Sequence, residues 1–156
     1  MSRISAYITP CNNGVVRQAA RMLGQLYDDV LAPSGLRVTQ HNLLYTIQAM
    51  DGPTLRAMAE ALVMDLSALG HSLKPLVREG FVAIIPDSND GRAKRATLTR
   101  GGIKKLKVTT GLWQQAQSRF DVAFGGKKAE ELRGLLLSIA TQEFRAAYEE
   151  GRPMTK

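Results

Sequence analysis

The side chains able to make and break bonds are few. Cys11 is the only cysteine, and His41 and His71 are the only imidazoles. No P-loop, GxSxG, HExxH or metal-type Cys/His spacing occurs in the sequence. One cysteine and two histidines do not make a zinc site without carboxylates. The residue types therefore argue against an enzyme and call for no metal and no cofactor. The sequence instead offers donors and cations in register. In the stretch MDLSALGHSLKPLVREGF, Ser67, His71, Lys74 and Arg78 recur at steps of four, three and four. Such a row suits reading base edges and holding phosphates.

That spacing predicts a helix from Asp65 to Glu79. Leu66, Leu69, Leu73 and Leu76, with Val77 beside the last, form its apolar face. Asp65 suits the N-cap, and Gly80 stands where a left-handed C-terminal residue is wanted. A helix of this type is either a core-facing helix with a solvated back or a rod for the major groove of DNA. Pro75 removes one backbone donor from its interior. Either it shapes the helix to a groove, or it is a kink tolerated because Leu73, Leu76 and Val77 are anchored.

The flanking stretches favour the groove reading of the helix and leave both readings of Pro75 open. Thr39 can cap a second helix, TQHNLLYTIQAM, which Asp51-Gly52-Pro53 stops. Thr54 caps a short third helix with Leu55, Met58, Ala59 and Leu62 inward. Only Val63 and Met64 separate it from the Asp65 helix, so the pair reads as a helix-turn-helix. Phe81 to Ile85 is a β-branched apolar strand, and Pro86 to Gly91 is dense in turn formers. Ala93 to Leu98 returns as the partner strand, with Ala96 and Leu98 inward and Arg95 and Thr97 outward. From Pro86 to Lys107 there are seven basic residues and two acids; seven minus two is +5, against +7 for the whole chain. Charge so concentrated suits a phosphate-binding surface.

The ends carry further helices. Residues 1 to 12 read as an extended arm, followed by a helix from about Asn13 to Leu31 with Val16, Ala20, Leu23, Tyr27 and Val30 in one stripe. Thr99 caps a long helix whose Ile103, Leu106, Thr110, Trp113, Gln117, Phe120 and Phe124 make a heptad seam. A last helix, about Lys128 to Tyr148, presents Leu132, Leu135, Leu136, Ile139 and Phe144. The fold class is thus mainly α with a small β-hairpin wing (α+β). Its parts are an N-terminal arm and dimerisation helix (1–35), a winged helix-turn-helix (36–100) and C-terminal dimerisation helices (101–156). The end helices either form a dimer or pack on their own domain.

Composition agrees. The chain has 156 residues, 44% hydrophobic and 22% charged, as in a soluble domain. A net charge of +7 favours a nucleic-acid partner over a membrane. No apolar run approaches the ~20 residues of a membrane span. The first residues, MSRISAYITPCNNG, lack the apolar core of a secretory signal. A single cysteine suits the reducing cytoplasm.

The wing is similar to that of a known family. The residues Leu76-Val77-Arg78-Glu79-Gly80-Phe81-Val82, then Asp87-x-x-Asp90-x-Arg92-Ala93, then Leu98-Thr99-x-x-Gly102 resemble the signature of the multiple-antibiotic-resistance-regulator (MarR) family of bacterial winged-helix transcription factors. Gly35-Leu36-x-x-Thr39-Gln40 matches the lead into the second helix. The resemblance runs from about Val15 to Phe144. It implies a cytoplasmic homodimer on a pseudo-palindromic double-stranded operator, nucleoid-associated when bound, acting by default as a repressor released by a small effector. It implies that Ser67, Ala68, His71, Ser72 and Lys74 face base edges or adjacent phosphates. Arg92 would be the wing tip in the minor groove. Asp90 would hold the Arg92 guanidinium and, with Asp87, orient the wing, or Asp90 would be a plain turn residue. Lys94 and Arg95 would hold phosphates, and Thr39, Gln40 and Arg56 would touch the backbone.

Effectors of that family are commonly small aromatic acids and phenols. The resemblance makes Tyr7, Arg17, Arg21, Tyr27, His41, Tyr45 and Trp113 the pocket candidates, against the alternative that each merely packs in core or surface. Some relatives sense oxidants through a cysteine near the first helix, which makes Cys11 an alternative sensor. Its neighbours Pro10, Asn12 and Asn13 are neutral, so nothing local activates it. A non-specific architectural DNA-binding protein is the remaining alternative.

Overall fold

A computed structural model describes residues 11–154 of the chain. It contains seven α-helices and one β-hairpin among those residues: α1 (Asn12–Leu31), α2 (Val38–Ala49), α3 (Leu55–Ala61), α4 (Leu66–Arg78), β1 (Val82–Pro86), β2 (Lys94–Leu98), α5 (Arg100–Phe124), α6 (Gly126–Ile139) and α7 (Gln142–Glu150). The mainly helical class with a hairpin wing is as expected. Two compact units share the chain, one ending at Ala116 and the other beginning at Gln117. No helix of the described residues is long and apolar enough to cross a membrane.

The first unit is built around one core. Leu43, Leu44 and Ile47 of α2, Met58 and Ala59 of α3, and Leu69, Leu73 and Leu76 of α4 meet Val82, Ala96 and Leu106. Leu36 joins them, with Leu55, Leu62, Phe81 and Leu98 packed at the margin. Leu66 departs from expectation: it is 50% exposed. It stands in the first turn of α4, beyond the edge of the core. Val77 is exposed as well, because the helix face that buries Leu76 turns it outward.

Caps set where the helices begin. Thr54 Oγ1 accepts from the Ala57 N–H at 3.2 Å, and Asp65 Oδ1 accepts from the Ala68 N–H at 2.7 Å, as predicted for both. The second helix starts earlier than Thr39. Its N-cap is Arg37, whose N–H donates to Gln40 Oε1 at 2.9 Å, so Thr39 lies in the first turn. α4 runs unbroken through Pro75 and ends before Gly80, which takes φ +74° as a left-handed terminator.

The hairpin is antiparallel, pairing Val82 with Leu98, Ile84 with Ala96 and Pro86 with Lys94. A further bridge joins Arg95 to Thr54, with the Ala96 N–H donating to the Pro53 carbonyl at 3.0 Å. β2 is thereby fastened to the turn ahead of α3. The start of α5 closes on the other side. The Thr99 N–H donates to the Phe81 carbonyl at 3.0 Å, Thr99 Oγ1 donates to the Gly80 carbonyl at 2.6 Å, and the Gly102 N–H donates to Thr99 Oγ1 at 3.0 Å. A Cβ on Gly102 would fall 2.0 Å from the Phe81 carbonyl oxygen. The Leu-Thr-x-x-Gly run is therefore a clasp between the exit of α4 and the entry of α5.

The predicted heptad seam of α5 is out of phase at its start. Gly102, Leu106, Thr109 and Ala116 are the buried residues, whereas Ile103 is 51% exposed. The clasp forces a glycine, not the larger Ile103, onto the packed face. In the second unit the predicted last helix is two. Ala140 ends α6, and Thr141 Oγ1 caps α7 by accepting from the Phe144 N–H at 3.1 Å. Of the predicted inner residues there, Leu135, Leu136 and Ile139 are exposed.

Candidate nucleic-acid interface

Burial of Leu69, Leu73 and Leu76 fixes the rotation of α4. The same rotation leaves Ser67, His71, Lys74 and Arg78 exposed in a row, with Ala68 and Ser72 half-buried beside them. Ser72 Oγ donates to the Ala68 carbonyl at 2.9 Å, so its free lone pair makes it an acceptor outward. Beside α4, Ser72 and Pro75 line a cavity of about 520 Å³, shared with Arg37, Leu43, Leu62 and Met64. Sequence reasoning did not identify it, since it lies where helices fail to pack flush.

The wing is held by the acid it contains. Asp87 is buried, and its Oδ1 accepts from the N–H groups of Asn89 (2.8 Å) and Asp90 (2.9 Å). Its Oδ2 pairs with Arg95 Nε, and Arg95 Nη1 donates to the Gly52 carbonyl. The Asn89 and Asp90 donors first, and Arg95 after them, hold the Asp87 carboxyl below the usual carboxylate range. Two expected contacts meet partners within the protein here. Arg95 was expected to hold a phosphate, and its Nε and Nη1 reach Asp87 and Gly52. Asp90 was expected to hold the Arg92 guanidinium, but its Oδ1 accepts from the Arg92 backbone N–H at 3.0 Å. It shapes the turn and leaves the Arg92 side chain exposed at the tip.

Lys105 leaves the basic surface too. Its Nζ donates to the Ser34 carbonyl at 2.8 Å and lies 5.0 Å from the centre of the Phe81 ring. Of the seven basic residues between Pro86 and Lys107, Arg92, Lys94, Arg100, Lys104 and Lys107 remain exposed. Thr39 and Arg56 are exposed, while Gln40 is committed through Oε1 to the α2 cap.

The effector candidates separate into groups. His41 is buried, with its ring stacked 6.5 Å from Tyr45 and 6.0 Å from Trp113. Thr109 Oγ1 donates to the Leu106 carbonyl at 3.1 Å, so its lone pair accepts the hydrogen bond from His41 Nδ1 at 2.9 Å. Burial favours the neutral ring and lowers the His41 pKa. Arg17 and Arg21 are exposed on α1, and Tyr27 is half-buried. Tyr7 lies outside the described residues. Cys11 is exposed at the N-cap of α1. Among the described residues no group of three or more His, Cys, Asp or Glu could hold a metal ion.

Comparison with known proteins decides the family. The MarR family model matches residues 36–94. A crystal structure of the Mycobacterium tuberculosis transcriptional regulator MosR in complex with DNA is 31% identical over 80% of this chain and 92% of its own, with a TM-score of 0.71. The chain belongs to the MarR family. Its winged helix is that of a family of non-catalytic DNA-binding regulators, which removes the enzyme reading. Two more distant structures share the fold. A mutant of Escherichia coli MarR with operator DNA is 24% identical, covers 80% of this chain and 90% of its own, and has a TM-score of 0.72. CouR of Rhodococcus jostii, bound to p-coumaroyl-CoA, is 22% identical, covers 83% and 92%, and has a TM-score of 0.72. No curated protein matches the chain.

Proposed function

We propose that the protein is a homodimeric, sequence-specific repressor that a small aromatic effector releases from its operator. The observation that carries this reading is the exposed row Ser67, His71, Lys74 and Arg78 on α4, flanked by a wing whose tip presents Arg92 and Lys94. Ser67 and His71 offer donors and acceptors for base edges, and Lys74, Arg78 and Lys94 offer charge for phosphates. Arg92 suits a narrow minor groove, where potential is most negative. Support for a dimer comes from apolar side chains left open. On α1 these include Met22 and Leu26, and in the second unit Val122, Leu135 and Leu137. Exposed apolar groups in such number favour burial against a second copy.

The effector reading draws on relatives. One is bound to p-coumaroyl-CoA, an aromatic thioester, and PcaV of Streptomyces coelicolor was solved with its natural ligand. In this chain Tyr45 and Trp113 flank the neutral His41 ring and supply faces for an aromatic ligand. Footprinting on the DNA upstream of its own gene tests the reading. It should show two protected segments about 10 base pairs apart, lost when the right aromatic acid is added. Uniform protection along the duplex would favour a non-specific architectural protein instead.

A further inference from the structure

Lys105 stands in the most basic stretch of the chain, yet its ammonium does not point at solvent. It lies on α5 and reaches two places at once. One is the Ser34 carbonyl, 2.8 Å away, at the end of the short 3-10 turn Ala32–Ser34 that joins α1 to α2. The other is the face of Phe81, 5.0 Å from its centre, one residue past the terminator of α4.

Both ends are held by further hydrogen bonds. Ser34 is buried, its Oγ donates to the Leu31 carbonyl at 2.7 Å, and the Leu36 N–H donates back to that Oγ at 3.1 Å. The Phe81 N–H donates to the Leu76 carbonyl at 2.9 Å, and its own carbonyl accepts from Thr99 and abuts Gly102. Beside the core packing of Leu36, the Lys105 side chain therefore gives a shift of the α1 exit a second route to the end of α4. A hydrogen bond from a charged group and a cation–π contact are each stronger than an ordinary surface contact.

We infer that Lys105 is a positioning residue rather than a DNA contact. It fixes the end of α1 against the end of α4, and so sets where a base-reading helix lies relative to the helix that meets the second copy. This rests on the dimeric operator reading given above. The long, flexible lysine stem suits the task, because one ammonium can satisfy a carbonyl and an aromatic face in different directions.

The salt dependence of binding separates positioning from phosphate contact. Each phosphate neutralised contributes about 0.9 to the slope of log affinity against log salt. The duplex is the tightest one recovered by selection from a random 30-base-pair pool. On it, Lys105→Met should weaken binding about tenfold with the slope unchanged, and binding to random duplex should hold. Lys105→Arg should restore most of the loss. A slope lowered by about one unit, with specific and random duplex weakened alike, would make Lys105 a phosphate contact and overturn the inference. Unchanged specific affinity would overturn it as well. Hydrogen exchange on the DNA-free protein supplies a second readout. In the Lys105→Met variant the Leu36 and Phe81 amides should both exchange faster; if neither does, the strap is not holding those two ends. Should the unsubstituted protein show no preference for the selected duplex, the operator reading fails, and the exchange result still judges the strap.

Discussion

Gly101 and Gly102 are neighbours in the first turn of α5, and substituting each by alanine separates packing from helix propensity. In a helix interior alanine is favoured over glycine by about 1 kcal/mol. At Gly101 the new Cβ would meet its nearest neighbour, Thr99 Oγ1, at 3.5 Å, an ordinary contact. Gly101→Ala should therefore be neutral or stabilising by up to about 1 kcal/mol. At Gly102 the Cβ would sit 2.0 Å from the Phe81 carbonyl oxygen. A tolerable separation is about 3 Å or more, so the backbones must part by about 1 Å. That carbonyl also accepts from the Thr99 N–H, which cannot follow both partners. Overpacking of this kind costs about 1–3 kcal/mol or more, and the strained hydrogen bond adds to it. After the propensity gain is subtracted, a net loss of about 2–3 kcal/mol is expected. In a chain of this length each kcal/mol lowers Tm by about 2–4 °C, which gives a fall of roughly 4–12 °C. Thermal unfolding followed by far-UV circular dichroism measures both variants side by side. Equal shifts in the two would refute the clasp between α4 and α5.

Three further outcomes follow from the site. Arg92→Ala should weaken operator binding and lower its salt slope by about 0.9 while leaving Tm within about 2 °C, because its side chain is exposed; unchanged binding in an electrophoretic titration would take the wing tip out of recognition. Arg95→Met removes the tie from Asp87 and Gly52 and should speed limited proteolysis between residues 87 and 92, with unchanged cleavage counting against a pinned wing. For His41 the folded pKa is lowered, so the unfolded chain takes up the proton first as pH drops below its ordinary value of about 6.5. Stability to urea should therefore be level above that pH and decline below it, and His41→Gln should flatten the decline; the same slope in both proteins would place the titration elsewhere.

The helix-turn-helix and wing were legible because each is written in local terms. Leucines at steps of three and four, Thr54 and Asp65 at the caps, and the turn formers from Pro86 to Gly91 all act over a few residues. What stayed hidden depends on partners far along the chain. Strand alternation turns Arg95 away from the side of Ala96, and nothing in the alternation says that Asp87, across the turn, will take its charge. The acid eight residues ahead of a basic one on a predicted hairpin was the available signal. Pattern reading gave Ile103 the inward place because it is large and apolar. The fold gives that place to Gly102, because closeness to a carbonyl rather than hydrophobicity sets the requirement. The break at Ala140 escaped notice because apolar spacing continues across it, although Thr141 followed by Glu143 is a fair N-terminal signature. Lys105 could not be told from its basic neighbours, since only the folded chain brings Ser34 and Phe81 within its reach.

The central claim is that an exposed polar row on α4 reads sequence while the wing supplies charge beside it. Competition binding measures this most directly, with a selected duplex set against random duplex as salt is raised from low to physiological concentration. The account predicts that overall affinity falls steeply while a preference of about a thousandfold or more for the selected duplex survives. Loss of both in parallel, leaving no preference at physiological salt, would contradict it.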